Sequence, residues 1–555
     1  MFRGNPLHSS LLFVTTLLLT AAPAAFAQLT GDLQVNVADA TNAAVPNAAV
    51  TVKNLETGAT RTAATGAFGS ISISQLSVGD YEITIGHEGF VTAKTSASVA
   101  GGTSSTIAVV LNIATATQQV EVSERAEVIN TVNAQLQQTT VRSSIANLPV
   151  VVGGALVLAT ASPGVAPVTP NNPFLGLGSY NSNGGRGRAN NITVDGATAT
   201  DVSTTGGAAL GTVPLDAIKE VNLITNQFNA EFGRNASSQF QITTIGGSNQ
   251  FHGELFEFAR NSFFNTRDYF DRTGSAVPNV NNDWGAMAGG KIRTNKLFYF
   301  GSYEQQKIRG LGGTRVATVP TPAQVSSAAP IAQQIISQYN VPTSPTGTIT
   351  QVAPNTTDFL AYSTRIDWMV TKSDTFFGRV GESAQHANST GNTFIDSNLV
   401  QNGASTFNRA WTGTLNETHT FSPTTVNNFM AAYGRSAPVF TPFVSNSGKP
   451  EILFNDGTSN FGTWSGLPQG RIQNTFQYQD IITHVHGRHT IKAGFELDRV
   501  QANSFFDSNV NGSLTFLTLA QFLQGIPFQY SQRFGNSVRG FRVWNEFFFA
   551  QDAGT

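Results

Sequence analysis

The sequence predicts a mainly β protein, with an N-terminal β-sandwich, a mixed α+β unit and part of a transmembrane antiparallel β-barrel. Three observations predict this class. Charged residues make up only 12% of the 555 residues, about half the usual share for soluble domains. Glycine and phenylalanine are abundant, with 53 and 40 copies. Many segments alternate between polar and apolar side chains, which is typical of strands that cross an outer membrane.

The first 27 residues have the parts of an export signal. Arg3 gives the positive start, residues 11–20 form an apolar run, and residues 25–27 (AFA) form a small-x-small cleavage site. The apolar run is shorter than the roughly 20 residues that a spanning helix needs. We therefore expect a mature chain that begins near Gln28 and works outside the cytoplasm.

Cysteine content and charge exclude several classes of function. The chain has no cysteine, which argues against a disulfide scaffold, thiol chemistry and cysteine-based metal sites. Its net charge of −2 implies no bulk attraction to nucleic acid. No Ser/His/Asp order or pair of acids stands in a strand–turn–helix context. We expect neither an enzyme, nor a cofactor, nor a nucleic-acid partner.

Residues 28–112 are predicted to form the β-sandwich. Short alternating segments such as 33–37, 50–52 and 81–85 are separated by closely spaced turn signals. The stretch GAFGSISISQLSVGDYEITIGHEGF resembles the carboxypeptidase regulatory-like domain. That resemblance implies an accessory sandwich without peptidase activity, and no zinc-ligand set occurs here. Analogy with related starch-binding modules makes a carbohydrate one candidate ligand, although the fold alone does not establish this.

Residues 184–201, GGRGRANNITVDGATATD, read as a cationic glycine loop followed by a strand and a tight turn. Asp195-Gly196 predicts the turn, because glycine tolerates a positive φ. The loop opens into a strand and not a helix, which argues against a phosphate cradle.

Residues 113–249 resemble a known domain through the order VEVS, ANLP, NNITVDG, PLDAIKEVNLIT, NAEFGR and GGSNQFHG. This order is similar to the plug domain of Oar-like TonB-dependent outer-membrane transporters. The resemblance implies a plug held inside the barrel and a TonB-type energising protein in the periplasm as partner. We expect Arg186 and Arg188 to pair with carboxylates of the barrel interior; alternatively, they face the substrate or gate its path.

One short alternating segment is the candidate contact for the energising protein by strand addition. It consists of Gln118, Gln119, Val120, Glu121, Val122 and Ser123.

Residues 250–555 are predicted to form the N-terminal part of the barrel. The ten candidate strands are 252–262, 284–293, 296–309, 358–370, 374–386, 408–421, 424–437, 473–486, 489–504 and 541–552. In 489–498 the even positions include Lys492, Glu496 and Asp498. A charge facing lipid near the midplane costs about 2–4 kcal/mol, so we expect this face to point inward and Ile491 to point outward.

Short turns on one side of these strands alternate with long polar loops, such as 310–357 and 438–472, which is the asymmetry of outer-membrane barrels. The aromatic clusters at 298–300 and 547–549 are interpreted as interfacial girdles, against the alternative of a soluble sandwich core. The segments WGAMAGGKIRTNKLFYFGSYE and HGRHTIKAGFELDR resemble Oar-like hairpins. Plugged transporters have about 22 strands, and ten cannot surround a plug, so we expect an N-terminal fragment or a truncated reading frame.

His484, His486 and His489 are close enough in sequence to suggest a metal cluster. His489 lies beyond a Gly-Arg turn, and no carboxylate is placed to orient the imidazoles. We therefore expect turn-capping or solvated roles and no metal site.

The leading hypothesis is an outer-membrane, TonB-dependent transporter for a large or scarce substrate. The alternative is a surface carbohydrate-binding or adhesion protein without transport. A passive porin is disfavoured, because residues 113–249 would block an open channel. Siderophore, saccharide, cobalamin and peptide all stay open as the extracellular substrate.

Overall fold

The structure is a computed structural model that describes residues 30–114, 135–148, 154–167, 180–200, 213–234, 236–266, 278–389, 398–444 and 448–554. The predicted signal peptide and the segment 118–123 lie outside these ranges. Within them, no helix combines the length and the apolar character needed to cross a membrane.

Seven strands form the predicted N-terminal sandwich. They are β1 (Thr30–Asp39), β2 (Ala49–Asn54), β3 (Thr60–Ala64), β4 (Ser70–Ser77), β5 (Gly79–Gly86), β6 (Ala93–Val99) and β7 (Ser104–Leu111). One sheet has the order β4-β1-β7 and the other β3-β2-β5-β6. Because alternate side chains of a strand share a face, apolar residues such as Leu33, Val35 and Ile83 meet in one core between the sheets.

The described residues from 135 to 250, here called the central unit, are mixed in structure. Their strands are β8 (Leu136–Val141), β9 (Val165–Pro167), β10 (Tyr180–Ser182), β11 (Asn190–Val194), β12 (Ala197–Thr198), β13 (Ile218–Asn226) and β14 (Ser238–Thr244). Helix α1 (Arg142–Ile145) and 3₁₀ turns at Gly154–Ala161, Gly187–Ala189 and Leu215–Ala217 connect them.

Five strands of the central unit form one sheet, with the order β12-β11-β14-β13-β8. Strand β14 is buried along its whole length. Phe240 and Ile242 on one face pack into the unit's own apolar core. On the other face, the side chain of Gln241 lies beside Gly102 of the sandwich. The central unit is therefore covered on this polar face by the sandwich.

Most of the remaining chain is β-structure. The strands are β15 (His252–Asn261), β16 (Asn279–Arg293), β17 (Leu297–Thr318), β18 (Thr348–Met369), β19 (Asp374–Ser389), β20 (Ala404–Ser422), β21 (Thr425–Ser436), β22 (Val439–Pro442), β23 (Glu451–Phe454), β24 (Gln469–His486), β25 (His489–Phe506), β26 (Ser513–Phe516), β27 (Gln529–Ser531) and β28 (Arg539–Gly554). Short 3₁₀ turns occur at Ser262–Phe264 and Val400–Asn402.

Eleven of these strands form a single sheet, here called the wall. Its order is β15-β16-β17-β18-β19-β20-β21-β24-β25-β28, and β22 pairs with β20 and β24. Neighbouring strands along this path are antiparallel, as in β18 and β19. All ten predicted strands are present, in the predicted order. The main difference is that several run farther on the side of the long loops.

The predicted inward face of β25 is confirmed. Asp498 is fully buried, and Lys492 contacts Asp32 of the sandwich. On the opposite face Ile491 is exposed, and Phe495 packs beside Phe548 of β28. Charged side chains are thus kept on the face where polar partners satisfy them, while apolar ones occupy the face that meets lipid.

The interpretation of the aromatic clusters as girdles is wrong for several of their members. Phe298 and Phe300 are buried and face the central unit. Phe547 also faces inward, beside Gly233, whereas Phe548 is exposed on the outer face. Consecutive residues of a strand point to opposite faces, so a run of three aromatics cannot lie in a single girdle.

On the long-loop side, an outer-loop unit folds around its own core. It contains β23, β26, β27 and the helices α2 (Pro322–Ser326), α3 (Pro330–Gln338) and α4 (Leu519–Leu523). The rings of Phe454, Phe461, Phe516 and Phe522 lie 4.9–6.1 Å apart in this core. The loops predicted at 310–357 and 438–472 are therefore largely ordered.

Two local signals explain that order. A capping box starts α2: the Thr321 hydroxyl accepts a hydrogen bond from Gln324 N, and the Gln324 side chain accepts one from Thr321 N. The glycine-rich stretch in β17 is accommodated by an irregularity between Leu311 and Thr314. The hairpin with β18 consequently continues to Thr318 and does not end at residue 309.

Candidate functional site

The candidate site begins at the turn between β11 and β12. Val194 and Ala197 are paired, so the turn has two central residues, Asp195 with φ +48° and Gly196 with φ +81°. Positive φ at both central positions is the geometry of a type I′ turn, which joins two antiparallel strands tightly. The turn places the Asp195 carboxylate at the tip of the central unit, toward the wall.

Asp195 is held from two sides. On one side is Thr244 of β14. Thr244 N donates a hydrogen bond of 2.9 Å to Asp195 Oδ1, and Thr244 Oγ1 donates one of 2.7 Å to Asp195 Oδ2. The wall supplies two cations. Arg379 Nε lies 2.8 Å from Asp195 Oδ2, and Arg365 Nη1 lies 3.4 Å from Asp195 Oδ1. A carboxylate of the central unit thus bridges two strands of the wall.

All three charged groups are buried, with side-chain exposures of 1% for Asp195, 0% for Arg379 and 5% for Arg365. Buried charges are tolerated only when they are paired and hydrogen-bonded. Arg365 also binds Asp367, through Nη2 at 2.7 Å, and its guanidinium lies 4.1 Å from the centroid of the Phe377 ring. Two arginines therefore face two aspartates, and the cluster is balanced in charge.

Gly196 lets the turn approach the wall closely. A Cβ added at this glycine would lie 3.2 Å from Met430 Sδ, which is tighter than ordinary contact. Met430 packs with Ala197 and Ala432 in a small apolar patch beside the turn. Glycine is thus favoured here both by the positive φ and by the available space.

Further polar contacts join the central unit to the wall. Gln477 Oε1 of β24 accepts a hydrogen bond of 2.8 Å from Thr198 N. Gln473 Nε2 donates to Thr200 O at 3.4 Å. Farther along the interface, the guanidinium of Arg234 pairs with the carboxylate of Asp498. This interface combines ion pairs and hydrogen bonds with small apolar patches, in contrast to the extended apolar cores of the sandwich and the central unit.

The sandwich contacts the end of the wall where the turns are short. Arg61 Nη2 donates to Thr420 Oγ1 at 2.9 Å, and Gln75 Nε2 donates to Thr483 Oγ1 at 2.9 Å. Arg488, in the turn after β24, lies over the Phe68 ring at 3.9 Å. In outer-membrane barrels the short turns are on the periplasmic side, so the sandwich lies at that end.

The sandwich also contacts the central unit through a buried acid. Glu220 Oε1 accepts hydrogen bonds from Gly101 N at 2.7 Å and from Asn222 Nδ2 at 2.8 Å. Burial raises the pKa of the Glu220 carboxyl above its usual 4.5, and the two hydrogen bonds oppose that change. The Glu220 carboxylate is therefore a hydrogen-bond acceptor whose negative charge is costly to bury.

The cations that contact Asp195 are Arg365 and Arg379 of the wall, which the sequence analysis did not single out. Arg186 is exposed and precedes the 3₁₀ turn that contains Arg188. No ion pair of Arg186 occurs with the carboxylates of the described residues. The proposed pairing of Arg186 and Arg188 with interior carboxylates stays a prediction, as does the role of residues 118–123. Sequence reasoning missed Arg365 and Arg379, although their alternation with apolar neighbours marked both as inward-facing.

The histidines near the β24–β25 turn have protein partners. His489 Nδ1 lies 2.6 Å from Asp552 Oδ2, and His484 Nδ1 lies 2.9 Å from Thr425 Oγ1. A different group, Asp374, Glu417 and His419, brings three possible metal ligands within 4.8 Å of one another. His419 and Asp374 are cross-strand neighbours whose ring nitrogen and carboxylate lie 2.5 Å apart, so a hydrogen bond between these two side chains accounts for most of this cluster.

Comparison with known families assigns two parts of the chain. Residues 243–329 and 323–553 match the model of the outer membrane beta barrel domain, and residues 32–112 match the carboxypeptidase regulatory-like domain. The chain is 29% identical over 145 residues to the TonB-dependent transporter Oar from Myxococcus xanthus, which covers 24% of this chain and 14% of that protein.

Two solved structures of outer-membrane proteins align with this chain. The outer membrane transporter YddB from Escherichia coli aligns with a TM-score of 0.52 at 11% identity, over 75% of this chain and 54% of that one. The siderophore receptor PirA from Acinetobacter baumannii aligns with a TM-score of 0.46 at 14% identity, over 68% and 50% of the two chains. The chain spans about half the length of these structures and a smaller share of Oar. It belongs to the outer membrane beta barrel domain family, which confirms the predicted outer-membrane location and the Oar-like resemblance.

Proposed function

We propose that this protein takes part in TonB-dependent active transport of a large or scarce substrate across the outer membrane. The observation that carries the proposal is the Asp195 carboxylate of the central unit, seated between Arg365 and Arg379 of the wall. This contact fixes a plug inside the wall by charge and not by an apolar core. Similarity to the transporter Oar supports the same function.

A polar interface suits a plug that must move. Apolar cores separate at a high free-energy cost, whereas polar interfaces between domains are compatible with relative motion. Water that enters with a substrate can solvate Asp195 and the two arginines as they part. In this proposal the substrate binds at the outer side, and the energising protein then pulls the plug from the periplasm.

The proposed handle for that pull is the segment 118–123, which precedes β8 in the chain. Strand addition to such a segment supplies backbone hydrogen bonds without a specific pocket. The sandwich, at the short-turn end of the wall, lies on the same side of the membrane as the energising protein. That position weighs against the alternative of a surface-exposed carbohydrate-binding or adhesion module.

The test is deletion of residues 118–123 in the full chain. We expect the purified protein to lose binding to the periplasmic domain of a TonB-type protein from the same organism, and cells to lose proton-gradient-dependent uptake. A variant with the same six residues in scrambled order controls for chain length. Barrel assembly, measured by heat-modifiable migration in gels, should not change. Retained TonB binding and uptake in the deletion variant would contradict the proposal.

A further inference from the structure

Tryptophans lie on the outer face of the wall, on the side of the long loops. Consecutive residues of a strand face opposite sides, so Arg499 lies on the outer face because Asp498 is buried on the inner one. The same alternation places three of the five tryptophans of the chain outward. Each has a cation over its ring: Lys307 lies 5.6 Å from the centroid of Trp284, Arg409 lies 5.1 Å from that of Trp411, and Arg499 lies 5.2 Å from that of Trp544.

These cations are far from the short turns. Lys307, Arg435 and Arg499 each lie ten residues beyond the first residue of β17, β21 and β25, and these strands begin at the short turns. Ten residues of a strand that is tilted by about 40° rise about 25 Å. The apolar band of an outer-membrane barrel has the same height of about 25 Å. The cations therefore lie at the external boundary of the membrane.

Nearer the short turns, the outer face exposes apolar side chains. They include Ile366, Val380, Leu415 and Ile482. Such side chains are favourable at the level of the acyl chains, whereas a charge is tolerated only near the interfaces. The cations thus border the apolar surface on its external side.

The outer face is positively charged at this boundary. On β16 to β25 its charged residues there are the cations Lys307, Arg309, Arg409, Arg435 and Arg499 and the carboxylates Asp358 and Glu382. Both carboxylates are bound, one by Arg309 and the other by Arg409. Among the described residues, Lys307, Arg435 and Arg499 have no ion-pair partner. Three positive charges are therefore available to an anion.

The surroundings of Arg435 show how one of these charges is presented. Arg435 lies directly opposite Trp411, and its Nη1 donates a hydrogen bond of 2.8 Å to Asn474 Oδ1. The Tyr433 hydroxyl donates to the same oxygen at 3.0 Å. These bonds orient the guanidinium and leave its other N–H groups, together with Asn474 Nδ2, as donors. An arginine fork beside an amide donor matches the oxygens of a phosphate.

We propose that the external boundary of the wall binds a phosphorylated lipid headgroup of the outer leaflet. The site, here called the outer belt, consists of Lys307, Arg435 and Arg499 with the tryptophans Trp284, Trp411 and Trp544. The cations bind the headgroup phosphates, and the indole rings lie at the headgroup level, as tryptophans do at membrane interfaces. A lipid phosphate accounts for both the charges and the apolar surface beneath them, whereas a free phosphate accounts only for the charges. The proposal does not depend on the transport function.

The test is titration of the purified full chain in detergent with diphosphoryl lipid A, with bound lipid measured by native mass spectrometry. We expect each of Lys307→Gln, Arg435→Gln and Arg499→Gln to bind about fivefold more weakly, and the triple variant on the order of a hundredfold. Arg435→Lys should bind more tightly than Arg435→Gln, because the charge is kept. Lys372→Gln, at an exposed position in a short turn, is the matched control and should bind like the wild type.

The same titration with lipid A that lacks phosphates separates charge from apolar contact without any substitution. The wild type should bind this lipid far more weakly. Equal binding of the two lipids, or equal affinity of the wild type and the triple variant, would overturn the proposal. Inorganic phosphate that displaces the lipid at equal concentration would show a simple anion site and also reject it. Unchanged heat-modifiable migration shows that the variants are folded.

Discussion

Arg365 and Arg379 lie directly opposite each other on β18 and β19, and the carboxylate of Asp195 contacts both. Like charges at directly opposed positions destabilise a sheet. The wall therefore carries a local repulsion that the central unit relieves. The central unit and the correctly paired wall stabilise each other through this one carboxylate.

Asp195→Asn should unseat the turn. The substitution leaves two buried arginines with one carboxylate, and breaking a buried ion pair costs about 3–5 kcal/mol. We expect faster proteolysis of the central unit and a lower melting temperature. Asp358→Asn is the control, because its pair with Arg309 is exposed and worth about 0–1 kcal/mol. In a double variant with Arg379→Met the loss should be less than additive; simple additivity would argue against the bridge.

Gly196→Ala should destabilise the same turn for two reasons, the positive φ of the backbone and the short distance to Met430. A left-handed conformation costs a non-glycine residue roughly 1–2 kcal/mol, and the new Cβ would lie 3.2 Å from Met430 Sδ. Gly487→Ala provides the comparison, since Gly487 has φ +61° and nothing within 4 Å of its added Cβ. A melting temperature lowered equally by both substitutions would show that the contact with Met430 does not matter.

Glu220→Gln should be stabilising at neutral pH. Burial raises the pKa of Glu220 in the folded state, so the fold favours the protonated carboxyl. Stability contributed by this group is present below the unfolded pKa, near 4.5, and is lost as the pH rises through the raised folded pKa. A glutamine keeps an acceptor for Gly101 N without the charge. Chemical denaturation from pH 4 to 8 should show a smaller decline in the variant than in the wild type; parallel curves would contradict this assignment.

A disulfide between the central unit and the wall should stop transport reversibly. A Cβ added at Gly233 of the central unit would lie 3.0 Å from Phe547 Cβ of the wall, close to the Cβ separation of a disulfide. The chain has no native cysteine, so Gly233→Cys with Phe547→Cys forms a single defined pair. We expect no uptake under oxidising conditions and recovery after reduction. Thr357→Cys with Ala387→Cys links two strands within the wall and should leave uptake unchanged. Full uptake through the oxidised first pair would mean that the plug does not move there.

Phe522→Ala should loosen the outer-loop unit and leave the wall intact. Phe522 is fully buried among three other phenylalanines, and truncation of a buried phenylalanine costs about 3–5 kcal/mol. Limited proteolysis should cut the outer loops faster while heat-modifiable migration stays the same. Phe528→Ala, at an exposed position, serves as the control and should have little effect.

The wall was the most predictable part of the fold. Alternation of polar and apolar residues has a period of two in every strand, and the short turns fix the register, so all ten strands could be identified. Alternation also places Arg365 and Arg379 on the inward face of neighbouring strands, four residues on either side of the Met369–Thr375 pair that closes the hairpin. It cannot reveal that Asp195, 170 residues earlier than Arg365, is placed between them.

The outer-loop unit was not predictable by the same means. Its core joins Phe454, Phe461, Phe516 and Phe522 from separate connections, and none of these segments has enough periodicity to predict a fold. The capping box at Thr321 was a local signal for α2. The girdle interpretation was wrong for a different reason. The alternation in this strand is clear, but residues 298–300 were treated as one group, whereas strand geometry divides them between two faces.

The phenylalanine core of the outer-loop unit also has a consequence for ligand capture. Loops that are already ordered lose little conformational entropy when a ligand binds, so more of the contact energy appears as affinity. Because the core is internal to the unit, residues on its surface can be exchanged without disturbing the packing beneath them. The external rim can therefore acquire a different recognition surface while the strands that cross the membrane remain unchanged.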